Sequence, residues 1–179
     1  MLSIVKIGDP ALRKISKPIS EKDLTSSTTK KLLHDLSETL NSRNDGVGLS
    51  APQLGITKRV FVVAGKIFDK DWQDGKNLPE GKVFKDEYFL NPVIIKKSKK
   101  LSTLEEGCLS IPNVYGMVKR PVNVTIEYTN EMGEKKTRGA SGLLARIFQH
   151  EIDHLDGILF IDKATDIKET ENTNANQEY

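Results

Sequence analysis

The sequence from residue 149 to residue 155 is Gln149-His150-Glu151-Ile152-Asp153-His154-Leu155. It ends a run, residues 143–155, that has helical periodicity and contains neither proline nor glycine. Ser141 is the expected N-cap of this helix, and Gly157 is the expected stop after its last turn. Residues four apart on a helix lie one turn apart on the same face. The run therefore predicts a helix that presents two histidines on one face.

The predicted helix is apolar along two neighbouring rows. One row holds Leu143, Ile147 and the two histidines, and the other holds Leu144, Phe148, Ile152 and Leu155. Such a helix is mostly buried, so its imidazoles and its carboxylate are costly unless something pairs with them. In the pattern His-Glu-x-x-His, two histidines bind a cation and the glutamate is a general base. Two unrelated core histidines are the alternative. A metal site is favoured, because two of the only three histidines in the chain lie in this motif with a glutamate between them.

The composition indicates one soluble globular domain of 179 residues, with 37% apolar and 29% charged residues. A net charge of +2 gives no strong attraction to nucleic acid or to a membrane, so neither is expected as a partner. No apolar run reaches the length of about 18 residues that a membrane-spanning helix needs. The single cysteine, Cys108, excludes an internal disulfide and fits a reducing compartment. These features, with no signal peptide at the start, favour a cytoplasmic protein.

The remaining pattern predicts one further helix and a set of strands. Residues 28–41 have a leucine face and predict a helix, on which His34 is expected at the surface. Residues 96–100 contain four lysines and are interpreted as a solvated hairpin turn rather than a nucleic-acid site. Residues 46–53 are expected to form a tight loop whose glycines permit close backbone approach. Strands are predicted at 58–64, 86–95, 101–105, 122–129 and 135–138, with a surface excursion at 65–85.

A catalytic metal site needs a third protein ligand and one open position. The second-turn histidine of some His-Glu-x-x-His enzymes would fall at position 160, which is Phe160. A downstream glutamate would be Glu169 or Glu171, and both lie in a polar segment unsuited to a rigid ligand. Cys108 remains, directly after a predicted strand, and one cysteine with two histidines suits zinc or iron.

Three segments together resemble the motifs of the peptide deformylase family, in that family's order and roughly its spacing. They are Gly46-Val47-Gly48-Leu49-Ser50-Ala51-Pro52-Gln53, Glu106-Gly107-Cys108-Leu109-Ser110 and Gln149-His150-Glu151-Ile152-Asp153-His154. The beginning, Gly8-Asp9-Pro10-Ala11-Leu12-Arg13, is also similar to the family's start. The resemblance covers about residues 4–162, and three motifs together are far more specific than one.

The resemblance implies an α+β fold in which antiparallel β-sheets pack around a central C-terminal helix that carries the His-Glu-x-x-His motif. It implies that Cys108, His150 and His154 bind one divalent metal ion, iron(II) in the cell, which zinc(II), nickel(II) or cobalt(II) can replace in vitro. Glu151 would be the general acid and base beside a metal-bound hydroxide. The reaction would remove the formyl group from the N-terminal formyl-methionine of newly synthesised polypeptides.

The resemblance also implies residues that contact the reacting group and the substrate. Gln53 and the backbone N–H of Leu109 would stabilise the negative oxygen that forms during attack. Leu143 and Ile147 extend the histidine row, so they are expected to floor an apolar pocket for the methionine side chain, with plain core packing as the alternative. The other expected substrate contacts are Val47, Gly48, Glu106, Gly107 and Tyr115, the last standing where some members of the family have arginine.

The expected domain organisation is one catalytic domain, residues 1–165, and a polar, disordered tail, residues 166–179. Some members of the family dock on the ribosome through a basic C-terminal helix, but this tail is short and mixed in charge. Transient ribosome association is therefore left open. The alternative function is a His-Glu-x-x-His zinc metallopeptidase with Cys108 as a plain core residue. A structural metal site would need a fourth ligand, for which the sequence offers no convincing candidate.

Overall fold

A computed structural model describes residues 2–43, 45–73, 75 and 82–170 of the chain. Within these residues, helices and strands follow one another in an α+β arrangement. In chain order they are α1 (Ser27–Asn41), β1 (Gly48–Ser50), β2 (Val60–Val63), α2 (Lys70–Gln73), β3 (Glu87–Lys97), β4 (Leu101–Cys108), β5 (Ile111–Pro121), β6 (Asn123–Thr129), β7 (Lys135–Ser141), α3 (Gly142–Leu155) and β8 (Thr165–Glu169).

The strands form two antiparallel sheets. The larger sheet has the order β1-β2-β3-β6-β7, and the smaller sheet has the order β4-β5-β8. Helix α3 contacts strands of both sheets, because its apolar rows face them. The expected α+β fold around a central C-terminal helix is confirmed.

Helix α3 is anchored in the main core by its apolar residues. Phe148 is fully buried, and its ring centroid lies 4.8 Å from that of Phe89 and 5.9 Å from that of Phe61. Ser141 occupies the N-cap position, although its side chain makes no capping hydrogen bond. Gly157 has φ +75°, and a Cβ there would lie 2.7 Å from the carbonyl oxygen of Arg13. The predicted helix and its glycine stop are therefore confirmed, and the glycine is required by the close approach of another segment.

Helix α1 also follows the sequence pattern. Ser26 caps it by accepting a hydrogen bond from the backbone N–H of Thr29. Its buried leucines pack into the main core, and His34 is exposed, as predicted.

Two local predictions are wrong because strand pairing is a non-local property. Residues 46–53 do not form only a loop: β1 pairs with β2, and the segment Ala51–Leu54 is a 3-10 helix. The lysine-rich segment 96–100 is not a hairpin turn, because β3 and β4 belong to different sheets. It is the corner where the chain leaves the larger sheet for the smaller one, held by the hydrogen bond from the Ser98 N–H to the Asn123 carbonyl.

Strand β5 is absent from the sequence prediction, although it is one of the longest strands described. It contains Gly116, and a Cβ there would lie 2.8 Å from the Cβ of Ala164. The glycine that weakens the strand pattern is therefore the residue that lets the C-terminal segment pack closely against β5, with which it pairs.

The expected boundary between domain and tail differs from the structure. Residues Thr165–Glu169 form β8 and pair with β5. The first residues of the expected tail therefore belong to a sheet, and residues 171–179 lie outside the described residues. In the excursion at 65–85, Ile67 is buried and Trp72 packs against the main core, whereas residues 74 and 76–81 lie outside the description. No helix in the described part of the chain is both long and apolar enough to cross a membrane.

Candidate active site

Three metal-binding side chains meet between α3 and the end of β4. His150 and His154 lie one turn apart on α3, with ring centroids 4.9 Å apart. The last residue of β4 is Cys108, whose Sγ lies 3.2 Å from Nε2 of His154. One ligand atom from each of the three residues lies within 4.8 Å of the others. The fold therefore assembles a Cys-His-His group that could hold a metal ion.

The other candidate third ligands lie elsewhere. Phe160 is buried, and its ring stacks on that of His150 with centroids 6.3 Å apart. Glu169 is exposed on β8, and Glu171 lies outside the described residues. Of the candidates that the structure describes, only Cys108 joins the two histidines.

The electrostatics of this group suit a cation. Burial raises the pKa of the Cys108 thiol, but His154 and His150 lower it more. The resulting pKa is well below the usual value of a thiol. Burial lowers the pKa of His150, but Cys108 and Glu106 raise it more, to about 10. A thiolate and two imidazoles thus favour positive charge between them, which a zinc or iron ion can supply in place of a proton.

Glu151 lies beside this group in a buried position, with 4% of its surface exposed. Burial is the main cause that raises the pKa of its carboxyl group. Its Oε2, like Nδ1 of His154, has no hydrogen-bond partner among residues 2–43, 45–73, 75 and 82–170. Buried polar atoms without partners are rare and costly. The unpaired carboxylate oxygen therefore fits a site that receives a ligand or a water molecule.

Strand β1 approaches Glu151 so closely that a side chain would not fit. A Cβ at Gly48 would lie 2.7 Å from Oε1 of Glu151 and 3.0 Å from the side chain of Ile147. The glycine of the first motif is thus needed for close backbone approach, as the sequence predicted.

Gln53 is fixed with its amide group toward the thiol. The backbone N–H and the hydroxyl of Ser50 each donate to Gln53 Oε1 at 2.9 Å. Because Oε1 is occupied by these donors, the NH₂ group is directed to the site, and Nε2 lies 3.5 Å from Cys108 Sγ. Sequence reasoning missed this role of Ser50, although a hydroxyl three residues before a glutamine was the available signal.

A cavity of about 530 Å³ opens beside these residues. Ile147 is buried in its wall, whereas Leu143 is half exposed and lies at its edge. Leu109 lines the cavity, and its carbonyl oxygen accepts a hydrogen bond from Lys6 Nζ at 2.9 Å. All of the predicted substrate contacts line this cavity: Val47, Gly48, Glu106, Gly107, Tyr115, Leu143 and Ile147.

Tyr115 lies against the strand that carries Cys108. A Cβ at Gly107 would lie 2.8 Å from the Tyr115 ring, so the glycine lets the ring cover β4. Tyr115 is itself 40% exposed, which leaves part of the ring at the cavity.

The carboxylate of Glu106 is committed to the protein rather than to the cavity. Arg120 binds it through Nε at 2.6 Å and Nη2 at 2.9 Å, and His150 Nδ1 lies 3.1 Å from Oε2. Burial raises the pKa of Glu106, but these partners lower it more, to well below its usual value. Any substrate contact by Glu106 is therefore left to its backbone.

Two more charged residues complete this buried network. Asp153 accepts from Arg120 Nη1 at 2.7 Å and from Lys163. Arg146 joins the network because its Nη1 donates a hydrogen bond to Glu106 Oε1. Sequence reasoning missed Arg146, although an arginine inside an apolar helix was a signal that it has a buried partner.

Comparison with known proteins agrees with this geometry. The model of the polypeptide deformylase family matches residues 1–170. A peptide deformylase of Carboxydothermus hydrogenoformans is 44% identical over 164 residues, which cover 92% of this chain and 93% of that protein. A peptide deformylase of Prochlorococcus marinus is 43% identical over 168 residues, which cover 94% of this chain and 75% of that protein.

A solved structure is similar in fold as well as in sequence. The Met-Ala-Ser-bound class I type b peptide deformylase of Acinetobacter baumannii superposes with a TM-score of 0.78 at 36% identity, covering 91% of this chain and 98% of that one. Since the family match extends over nearly the whole chain and the relatives exceed 40% identity, the chain belongs to the polypeptide deformylase family and is an enzyme of that family.

Proposed function

We propose that this enzyme hydrolyses the formyl group from the N-terminal formyl-methionine of new polypeptides with the help of one divalent metal ion. The single observation that carries the proposal is the convergence of Cys108, His150 and His154 beside the Glu151 carboxylate, whose Oε2 has no hydrogen-bond partner in the described part of the chain, at the edge of a cavity. The Acinetobacter baumannii relative is described as bound to Met-Ala-Ser, which has the form of a deformylated peptide.

Cys108, His150 and His154 would hold the metal, with iron(II) as the ion in the cell and zinc(II), nickel(II) or cobalt(II) as replacements in vitro. When bound, such an ion lowers the pKa of a water molecule to about 7 and polarises a carbonyl oxygen. The mixed donor set of one sulfur and two nitrogens, with three protein ligands, suits a catalytic rather than a closed structural site.

Glu151 moves the proton. Its carboxylate takes the proton of the attacking water and gives it to the amine as the bond between the formyl carbon and the methionine nitrogen breaks. The products are formate and a polypeptide with a free amino terminus. Burial raises the pKa of Glu151, which brings the group closer to the pH at which it must both accept and donate a proton.

Gln53 and Leu109 stabilise the developing negative charge on the formyl oxygen. The Gln53 amide is preorganised, because Ser50 holds its oxygen at 2.9 Å and leaves its NH₂ group as the donor. The backbone N–H of Leu109 follows Cys108 directly in the chain. Donors that are held in place before the reaction lose no reorganisation energy during it.

The cavity accommodates the methionine side chain and the first residues of the peptide. Val47 and Ile147 supply apolar wall, and Leu143 lies at the edge. Gly48 on β1 and Gly107 on β4 line the cavity and are proposed to contact the backbone of the peptide. Nascent formyl-methionyl polypeptides are thus the proposed partners, and the cytoplasm is the proposed location.

A His-Glu-x-x-His zinc metallopeptidase was the alternative, with Cys108 as a plain core residue. It is not favoured, because Cys108 Sγ lies 3.2 Å from His154 Nε2 and the family match is to deformylases.

The proposal is tested with protein purified without oxygen, in which metal content and hydrolysis of formyl-Met-Ala-Ser are measured together. Acetyl-Met-Ala-Ser is the matched substrate, since it differs by one methyl group on the carbonyl. We expect about one metal ion per chain and release of formate but little release of acetate. Cleavage between methionine and alanine, or full activity after complete removal of metal, would overturn the proposal.

A further inference from the structure

Arg146 lies on α3 one turn before His150, and its guanidinium is buried against the smaller sheet. Its Nη1 donates to Glu106 Oε1 at 2.5 Å and to the Val118 carbonyl oxygen at 3.0 Å. Its Nη2 donates to the Ser102 carbonyl oxygen at 3.0 Å. The guanidinium is therefore held at three points, two of which are backbone atoms of β4 and β5.

The Glu106 carboxylate is clamped by two arginines in an unequal way. Arg120 binds both of its oxygens, but Arg120 also binds Asp153 at 2.7 Å and so divides its charge between two carboxylates. Arg146 binds one oxygen, Oε1, and among the described ion pairs Glu106 is the only carboxylate it contacts. The position left at Oε2 is taken by His150 Nδ1 at 3.1 Å.

We propose that Arg146 is a positioning residue of the metal centre, which acts by holding Glu106 in the orientation that fixes the His150 ring. The proposal rests on the metal centre proposed above. A histidine that donates from Nδ1 to a carboxylate keeps Nε2 free as the ligand atom, and the same hydrogen bond sets the plane of the ring. Arg146 and His150 lie on one face of α3, so the same helix carries the metal ligand and the residue that orients its ring through Glu106.

A purely structural role is the competing explanation, since Arg146 also ties β4 to β5 through two carbonyl oxygens. The two roles differ in what they predict. A structural tie affects the free energy of unfolding, whereas a positioning role affects the affinity of the folded protein for metal.

The experiment measures cobalt(II) binding to metal-free protein without oxygen, with a competing chelator and the thiolate-to-cobalt absorption band as the signal. Loss of a residue that supports a metal ligand typically costs about 10–100-fold in metal affinity, and we expect Arg146→Met to fall in that range. Should Arg146→Met not fold, Arg146→Gln takes its place with the same expected loss, because glutamine can still donate to a carbonyl but carries no charge.

Arg59→Met is the matched control. Arg59 is also mostly buried, with 15% of its side chain exposed against 11% for Arg146. Among the described residues it makes one ion pair, as Arg146 does, with Asp156 at 2.7 Å. Its side chain also donates one hydrogen bond to a carbonyl oxygen, that of Pro92, where Arg146 donates two. It has no contact with Glu106, so we expect its cobalt affinity to stay within about twofold of the parent.

A double-mutant cycle decides whether Arg146 acts through Glu106. In a Glu106→Gln background, the second substitution Arg146→Met should change cobalt affinity by no more than about twofold, because the carboxylate it positions is already gone. An equal loss in both backgrounds, or an Arg146→Met variant that binds cobalt as tightly as the parent, would overturn the proposal. If the parent itself binds no cobalt through its thiolate, the metal centre fails and the positioning role fails with it, so the two failures are distinguishable.

Discussion

Glu151→Gln is the substitution that tests the proposed chemistry most directly. It keeps the size and shape of the side chain but removes its basicity, so the proton of the attacking water loses its acceptor. The three proposed metal donors do not include Glu151, and the variant should therefore keep its metal.

The size of the effect follows from the position of the carboxylate. General acid–base catalysis contributes typically about 10²–10⁴-fold, which corresponds to about 3–5 kcal/mol of transition-state free energy. Glu151 is 4% exposed and Gly48 lies against it, so bulk water has little access to replace its function. We therefore expect the loss in kcat to lie toward the upper end of that range.

Stability should not fall with activity. Burial raises the pKa of Glu151, which means that the folded protein disfavours the charged form, and glutamine has no charge to bury. Measured without metal, the melting temperature of the variant should be equal to that of the parent or higher.

The assay measures kcat for formyl-Met-Ala-Ser and metal content on the same preparation, and the melting temperature after its metal has been removed. Glu127→Gln is the control, because Glu127 is exposed on β6 and its substitution should leave all three quantities unchanged. Turnover by Glu151→Gln within a few-fold of the parent, with metal bound, would refute the assignment of Glu151 as the proton carrier.

Three further predictions concern other parts of the chain. Cys108→Ala should lose metal, measured by elemental analysis, and full occupancy with unchanged activity would contradict the ligand assignment. Asp153→Asn should lower the free energy of unfolding in urea by about 1–3 kcal/mol, because it weakens a hydrogen-bonded pair with the buried guanidinium of Arg120, while kcat per folded molecule stays within a few-fold; a large loss of kcat at unchanged stability would contradict a structural role. The Arg13 guanidinium lowers the pKa of Asp162, chiefly through its hydrogen bond. The ion pair therefore stabilises the folded protein at pH values above 3.8, the pKa of the unfolded carboxyl group. This stabilisation is lost as the pH falls through the lower pKa of the folded protein. Arg13→Met should therefore cost about 0.2–1 kcal/mol in urea unfolding at pH 7, a small figure because both side chains are partly exposed, and the difference from the parent should shrink below pH 3.8; a difference that does not change with pH would contradict the ion pair as its source.

The closest agreement between sequence and structure is on the two long helices. The four-residue spacing of His150 and His154 determines their common face, since helical geometry depends only on neighbouring residues. Gly157 ends α3 where the sequence predicts, and the leucine face of α1 is buried. Sequence reasoning also isolated Cys108 as the third donor by excluding the other candidates. The family resemblance, carried by the motifs at 46–53, 106–110 and 149–154, implies the same ligand.

The errors have a common physical cause. The corner at 96–100 has the composition of a hairpin turn, but which sheet each flanking strand joins depends on pairing with distant strands. Strand β5 carries a glycine that interrupts the pattern because the C-terminal segment packs closely against it at that position. In both places the local sequence is compatible with more than one arrangement, and packing selects among them.

The sequence by itself determined that two histidines and a glutamate share one helix, that one cysteine is available as a third ligand, and that the chain resembles one enzyme family. Only the tertiary structure decided that the Glu106 carboxylate faces His150 instead of the cavity and that Arg146 reaches Glu106 from the helix. Hydrogen bonds between side chains that are 40 or more residues apart, as in the last of these contacts, depend on the docking of α3 against β4 and β5. No local pattern encodes that docking, because it is the outcome of burying both apolar rows of the helix at once.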